Sequence, residues 1–499
     1  MADTGIPDAT ERRTEAAKAQ GTRPPTEPAK PAKTRSRKRV SDASNPSKSR
    51  ERGLPRGPQA LPRDEVAADQ RERLYEATIE AVNERGFVAT TISDLVKRAG
   101  VSRRSFYEHF ENKEECLLAT YDVLIERLTA RVVVAYDPKA ELEQQIEAIV
   151  GAFFEASSDR PDAARLIAVE MGAAGPVGIE RWARDAEQLT RFITAVFEQA
   201  PGPGTIPEPV ARAIVGALRA VLYARLRRER SSRALRAELQ KLVPDIVTWI
   251  MSFYPTPATI PARPHARRTG HLQGGRAPGT LSPSPSWAAR GLPRGEHNLP
   301  RGFVAHNQRE RIFDAVANLT AAKGYPALSL EEIVAEAAIS LQTFYEHFEN
   351  KEEAFLATFE MGHAKAMAAM NRSLDLKLSW GRNVRLGLTA LLEFIASEPS
   401  IGRLACVDIL IAYPHMTGRV NEANFSYIEL LDLGPADTYP NMPPPVMREA
   451  VVGGIFELLH AYILRERTER VTELIDHVMY IVITPFAGRE LAAQVVAET

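Results

Sequence analysis

The decapeptide FYEHFENKEE stands at positions 106–115 and again, unchanged, at 344–353 of this 499-residue chain. The match continues at the same offset of 238: GLPRG at 53–57 returns at 291–295, QRER at 70–73 returns at 308–311, and Gly86 is matched by Gly324. Further on, VGALRAVLYARLRRER at 215–230 is matched by VGGIFELLHAYILRER at 452–467, at an offset of 237. A copy of this length is a whole unit rather than a motif, and two copies are too few to stack as a solenoid, so each must bury a core of its own. The length agrees, since single cores stop growing well below it.

Composition separates the units. Residues 1–63 are rich in Pro, Ser, Thr, Lys and Arg and carry a net charge of +8, concentrated in KTRSRKR at 33–39. Such a segment cannot bury enough apolar surface to order itself and is expected to be a disordered basic tail, suited to lie on a polyanion. Residues 255–301 have the Pro/Gly/Ser/Arg composition of a flexible linker. Two cysteines, Cys116 and Cys406, exclude a disulfide framework and are expected to be core thiols in a reducing cytoplasm. No secretory leader is recognised at the N-terminus, and the longest apolar runs are too short for a membrane span, so no membrane partner is expected.

Each unit reads as all-helical. Apolar residues recur at three and four, as in Leu74, Ala77, Ala81 and Val82, and no alternating β-branched run is bounded by hairpin turns. Capping boxes are predicted at Thr91–Asp94, Asn112–Glu115, Ser329–Glu332 and Asn350–Glu353, and Gly86 and Gly324 are expected to end helices in the left-handed conformation. Within 65–110 the pattern gives a long helix, a short helix TISDLVKRA, the turn Gly100-Val101-Ser102 and a second short helix RRSFYEHF, which is a helix-turn-helix. Leu95, Val96, Val101, Phe106 and Phe110 supply its core, leaving Arg103, Arg104, Ser105, Tyr107 and His109 on the other face. In this motif the start of the second helix meets base edges in the major groove, and arginine forks onto guanine O6 and N7. Ser105, Tyr107 and Lys113 have the chemistry for phosphate oxygens.

The stretch TTISDLVKRAGVSRRSFYEHFENKEECL resembles the DNA-binding domain of the TetR family of bacterial repressors, and both units share the resemblance, over 64–254 and 302–488. It implies an all-α fold of two tandem TetR-like units. The helix-turn-helix domains are expected at 64–112 and 302–350, and the helical ligand-binding and dimerisation domains at 113–254 and 351–499. It also implies that Ser105, Tyr107 and Lys113 touch phosphates, that Arg103 and Arg104 read bases, and that His109 lies beside the backbone of a double-stranded operator.

The second reader departs from this pattern. Lys97, Arg98, Arg103 and Arg104 are replaced by Ala335, Glu336, Leu341 and Gln342, Gly100 by Ala338, and the charge over the motif changes from +2 at 91–113 to −4 at 329–351. Each lost phosphate contact removes about 0.9 from the salt slope of binding, so unit two is expected to hold DNA weakly. Thr343, Tyr345 and Lys351 are retained for phosphates, and Gln342 has the chemistry to pair with adenine. Ahead of each first helix, Arg56 and Arg63, matched by Arg294 and Arg301, form an arginine arm of the kind that enters a minor groove.

Family members generally act as two-fold dimers, and a linker of this length lets the two units pair within one chain, although a homodimer of chains is also open. The docking face is expected on the last helices of each unit, where small residues suit close approach. Charge over 210–230 is +5 and over 446–467 is 0, which disfavours pairing of unit one with itself. An unknown small-molecule effector, by default apolar, is expected among Phe153, Phe154, Met171 and Trp182 in unit one, and Met361, Met367, Phe394 and Phe425 in unit two. No cofactor, metal site or catalytic motif is found, and His109 and His347 lack partners at ligand spacing. The competing non-enzymatic reading is a protein that coats or bridges DNA through its basic tail with little sequence preference.

Overall fold

The computed structural model describes residues 62–200, 205–228, 231–261, 264, 300–375, 377–412, 426 and 444–498. Arg56, Arg294, Phe425, nearly all of the basic tail and most of the linker lie outside the described residues, as does the side chain of Arg301.

Helix α1 (Arg63–Arg85) buries the predicted stripe of Leu74, Ala77, Ala81 and Val82. It ends at Gly86 with φ 77 and ψ 160, and the matching Gly324 has φ 79 and ψ 155. The expected left-handed helical conformation is corrected here: φ is positive, as glycine permits, but ψ is extended, so the chain leaves the helix straight into the next loop. Helix α2 (Ile92–Ala99) starts on a complete capping box between Thr91 and Asp94, and the Ser329–Glu332 box is equally complete. Helix α3 (Arg103–His109) is capped by Ser102, and α4 (Lys113–Ala135) by Asn112.

The boxes expected at Asn112 and Asn350 are only half made. Each asparagine accepts from the glutamate N–H, but Glu115 and Glu353 accept in return from Glu111 and Glu349, one residue before the cap. The cap backbone is more extended there, φ −151 and ψ 177 at Asn112 against φ −112 and ψ 157 at Thr91, and this turns the preceding N–H toward the carboxylate.

The body of unit one comprises α5 (Leu142–Asp159), α6 (Pro161–Val169) with a 3-10 turn (Glu170–Ala174), α7 (Pro176–Glu198), α8 (Glu208–Arg228) and α9 (Ser232–Met251). Unit two repeats the reader as α10 (Arg301–Lys323), a 3-10 turn (Tyr325–Ala327), α11 (Leu330–Glu336), α12 (Leu341–His347) and α13 (Lys351–Ser373). Its body follows as α14 (Trp380–Ser397), α15 (Pro399–Arg403) with a π turn (Leu404–Asp408), α16 (Pro445–Leu464), a 3-10 turn (Thr468–Leu474), α17 (Ile475–Ala487) and α18 (Arg489–Ala497). The fold is all-α, with two helix-turn-helix regions each followed by a helical bundle. Among the described residues no helix is long and apolar enough to cross a membrane.

Each reader has its own small core, Leu74, Leu95, Phe106 and Phe110 in the first and Ile312, Ile333, Phe344 and Phe348 in the second. The bodies instead share one continuous apolar core, in which Val210, Ile214 and Val221 of α8 join Val451 and Leu458 of α16. Helix α8 packs along α16, α9 also reaches α16, and α17 touches α8. Small residues let the backbones close: a Cβ on Gly454 would stand 2.9 Å from the Ala213 carbonyl oxygen. Both cysteines are buried and free, and burial pushes their thiols up to about 11 for Cys116 and about 12 for Cys406.

The turn inside each reader differs in a way that stability measurements can resolve. Gly100 adopts the left-handed conformation (φ 62, ψ 34), and its counterpart Ala338 is held at φ 49 with a Cβ attached. A left-handed alanine costs about 1 kcal/mol more than glycine. Ala338→Gly is therefore expected to stabilise the chain by about 1 kcal/mol, and Gly100→Ala to destabilise it by a similar amount, each measured by urea denaturation.

Candidate nucleic-acid interface

Ser102 sets the start of α3 by accepting from Ser105 N at 3.0 Å, while its hydroxyl lies 2.9 Å from that of Ser105. Phe106, fully buried, anchors the helix, which leaves Tyr107 exposed and Ser105 half-buried. Arg103 and Arg104 are exposed at the first turn. The Arg104 side chain is 90 % exposed and pairs with Glu108 at 3.1 Å. Tyr107 is 50 % exposed, with the Arg103 guanidinium 6.0 Å from its ring centre. In unit two the same positions present Leu341 and Gln342, both exposed, then half-buried Thr343 and exposed Tyr345. Of the residues predicted to meet DNA, Arg103, Arg104 and Tyr107 are therefore exposed on α3, and Gln342 and Tyr345 on α12, with Ser105 and Thr343 half-buried beside them. Arg63 stands exposed at the first position of α1.

His109 is held from behind. Its Nε2 lies 3.1 Å from Gln70 Oε1, and His347 repeats the contact with Gln308. Burial, reinforced by Arg71 beside His109 and Arg309 beside His347, lowers both imidazole pKa values and favours the neutral rings.

Lys113 has a different position from the one expected. Its Nζ donates to the carbonyls of Phe87, Val88 and Thr90 at 3.2, 3.1 and 3.0 Å and lies 4.6 Å from the Phe87 ring centre. The ammonium thus closes the loop between α1 and α2 as an internal clasp. Lys351 keeps a reduced form of it, donating to Leu328 O at 2.8 Å. Removing the cation strips three acceptors at once. Lys113→Met is expected to cost about 1.5 to 3 kcal/mol, the range for hydrogen bonds to charged groups, and to speed amide hydrogen exchange through 86–110.

Other contacts were not legible from spacing alone. Arg73 donates to Ala99 O at 3.0 Å and Gly100 O at 3.4 Å, closing the turn, and Arg311 does the same to Ala338 O. The repeated QRER could have signalled this pair. Arg98 is engaged by Glu84 and Glu80, so its charge is met within the reader. Glu170, on the turn after α6, accepts from Phe87 N at 3.0 Å and ties the body to the same loop that Lys113 clasps.

The helical bodies enclose space of unequal character. In unit one a cavity of about 270 Å3 is lined by Phe153 and Trp182 together with Arg127, Arg131, Asp185 and Arg219. Phe154 belongs to the packed core, and Met171 instead borders a cavity of about 360 Å3 between α8 and α16. In unit two Phe394 lines a smaller cavity of about 110 Å3 with Phe359, Met370 and Cys406. Met361 packs toward the second reader and Met367 toward the shared core. Among the described residues no group of three or more His, Cys, Asp or Glu could hold a metal ion.

A family model described as bacterial regulatory proteins, tetR family, matches residues 74–120 and 312–358, the two readers. The transcriptional regulator EthR of Mycolicibacterium smegmatis is 31% identical over 151 residues, which is 28% of this chain and 67% of that protein. The chain belongs to the TetR family. The transcriptional activator FasR of the same species is 32% identical over 120 residues, covering 23% of this chain and 53% of FasR, so that match spans about half the relative's length. A solved TetR-like regulator from a Rhodococcus species is 19% identical, with a TM-score of 0.31 over 38% of this chain and 99% of that one. TetR membership supports a DNA-binding regulatory role for the chain.

Proposed function

We propose that the chain is a ligand-responsive transcriptional repressor whose two units pair within one chain and which reads its operator chiefly through unit one. The observation that carries this reading is the contrast between the two outward faces. Arg103 and Arg104 stand free of buried partners at the tip of α3, where α12 offers Leu341 and Gln342. Guanidinium forks discriminate guanine, and a leucine brings no hydrogen bond to a base edge. Ser105 and Tyr107, with Thr343 and Tyr345 on the second reader, then position the two helices on phosphates, and Arg63 adds a cation at the first position of α1.

The shared core between α8 and α16 supports pairing within the chain, and the cavities of the bodies are where an effector would act. The charged side chains among the lining of the unit-one cavity favour an amphipathic molecule there, in place of the apolar default. Glu170 offers a route to the reader, because it follows α6, whose residues line that cavity, and holds the loop after Gly86.

A transcription assay tests the reading. With a recovered binding site placed across a promoter, purified chain is expected to lower transcript yield in proportion to site occupancy. Increased transcript would reverse the sign of regulation, and retardation of all duplexes alike would return the DNA-coating alternative.

A further inference from the structure

The contact between the two bodies carries more information than its existence. Helices α8 and α16 correspond at an offset of 237, so Gly216 matches Gly453, Ala220 matches Glu457, Arg219 matches Phe456, Arg212 matches Glu449 and Arg225 matches Tyr462. The packing follows this correspondence reciprocally. A Cβ on Gly216 would lie 2.3 Å from Glu457 Cβ, and a Cβ on Gly453 would lie 2.3 Å from Ala220 Cβ. Position 216 meets position 220 in both directions, which is the relation that a two-fold axis imposes on an isologous pair.

The charges break the symmetry that the backbones keep. Arg219 donates to Glu457 at 3.0 Å, and its guanidinium lies 3.3 Å from the Trp182 ring centre. Arg225 pairs with Glu449. Both cations come from unit one and both anions from unit two. If unit one met itself in this geometry, Arg219 would face Ala220, and buried Arg225 would face buried Arg212, two guanidiniums brought together with only their own-unit partners Glu238 and Glu208. If unit two met itself, Glu457 would face Phe456 and Glu449 would face Tyr462, leaving carboxylates in an apolar seam without a cation. Like charges brought together in a seam, or carboxylates left there without a cation, are disfavoured, whereas the mixed pair sets each of the four groups against an opposite charge across the seam.

We infer that this face is a heterotypic lock, which accepts the opposite unit and rejects a second copy of its own. The inference rests on the proposed pairing of units within one chain and adds its specificity. It follows that the protein has no route, through this face, to a symmetric assembly with two copies of the strong reader.

The test uses the full chain with a protease site placed within residues 265–299, cleaved after purification. Two nicked batches, one tagged on unit one, are mixed, incubated and captured through the tag. Untagged unit two is expected in the captured fraction, and untagged unit one is not. Capture of untagged unit one in amounts comparable to unit two would overturn the lock while leaving intramolecular pairing in place. Absence of unit two altogether would overturn both. A gain-of-function variant guards against misfolding artefacts: Arg212→Glu with Ala220→Glu writes both carboxylates of α16 onto α8 and makes unit one self-complementary. Captured unit-one pairs are expected to rise at least tenfold over the unmodified chain, and no rise would overturn the assignment of specificity to these charges.

Discussion

Replacing Arg103 and Arg104 together by alanine is expected to abolish sequence-selective DNA binding by the full chain, while Gln342→Ala is expected to be mild. Both arginines are exposed, and the surface pair of Arg104 with Glu108 contributes little to stability, so the fold should survive the change. A good bidentate arginine is worth about 1 to 3 kcal/mol of base discrimination, so the double change removes roughly 30- to 20,000-fold in preference for the operator over random sequence. Gln342 has Leu341 beside it, and its motif carries a net charge of −4, so the electrostatic attraction that would bring it into a groove is weak. Competition titrations with operator and scrambled duplex measure both variants. Equal losses would show that the two readers share the work.

The second large effect concerns stability. Glu457 is 2 % exposed and depends on Arg219, which also stacks on Trp182. Arg219→Met leaves the carboxylate buried without its cation and is expected to cost about 3 to 5 kcal/mol of unfolding free energy, read from guanidinium denaturation. The carboxylate carries the penalty rather than the lost contact, so adding Glu457→Gln is expected to recover most of the loss. If the double variant is as unstable as the single one, the destabilisation comes from the lost ring stacking or from packing, and the ion pair is not what holds the seam.

Much of this was legible in the sequence because it is local. The helix-turn-helix follows from Gly100, Ser102 and the one-turn spacing of Phe106 and Phe110, all of which act within a dozen residues. The replacement of Gly100 by Ala338 was visible once the unit was laid over its copy, whereas the positive φ that strains the alanine is seen only in the structure. Two caps were read as complete boxes and are half made, because the return bond depends on backbone torsion at the asparagine and not on residue spacing.

What the sequence hid was side-chain direction across tertiary contacts. Lys113 has the chemistry of a phosphate ligand, but its ammonium folds back onto carbonyls 23 to 26 residues upstream. Glu170 joins the reader from 83 residues away. The charge contrast between α8 and α16 could be summed from composition, whereas the pairing of Arg219 with Glu457 is set by which positions cross, and that register appears only in the packed helices. The effector cavities were similarly half visible: Phe153, Trp182 and Phe394 line them, and Phe154 does not, because adjacent aromatics on one helix face different neighbours.

Selection of bound duplexes from a random pool, using the full chain, tests the central claim most directly. One strongly specified half-site, with a guanine where the arginine tip enters, is expected beside a weakly specified half. Recovery of a symmetric inverted repeat with equal information in both halves would contradict it.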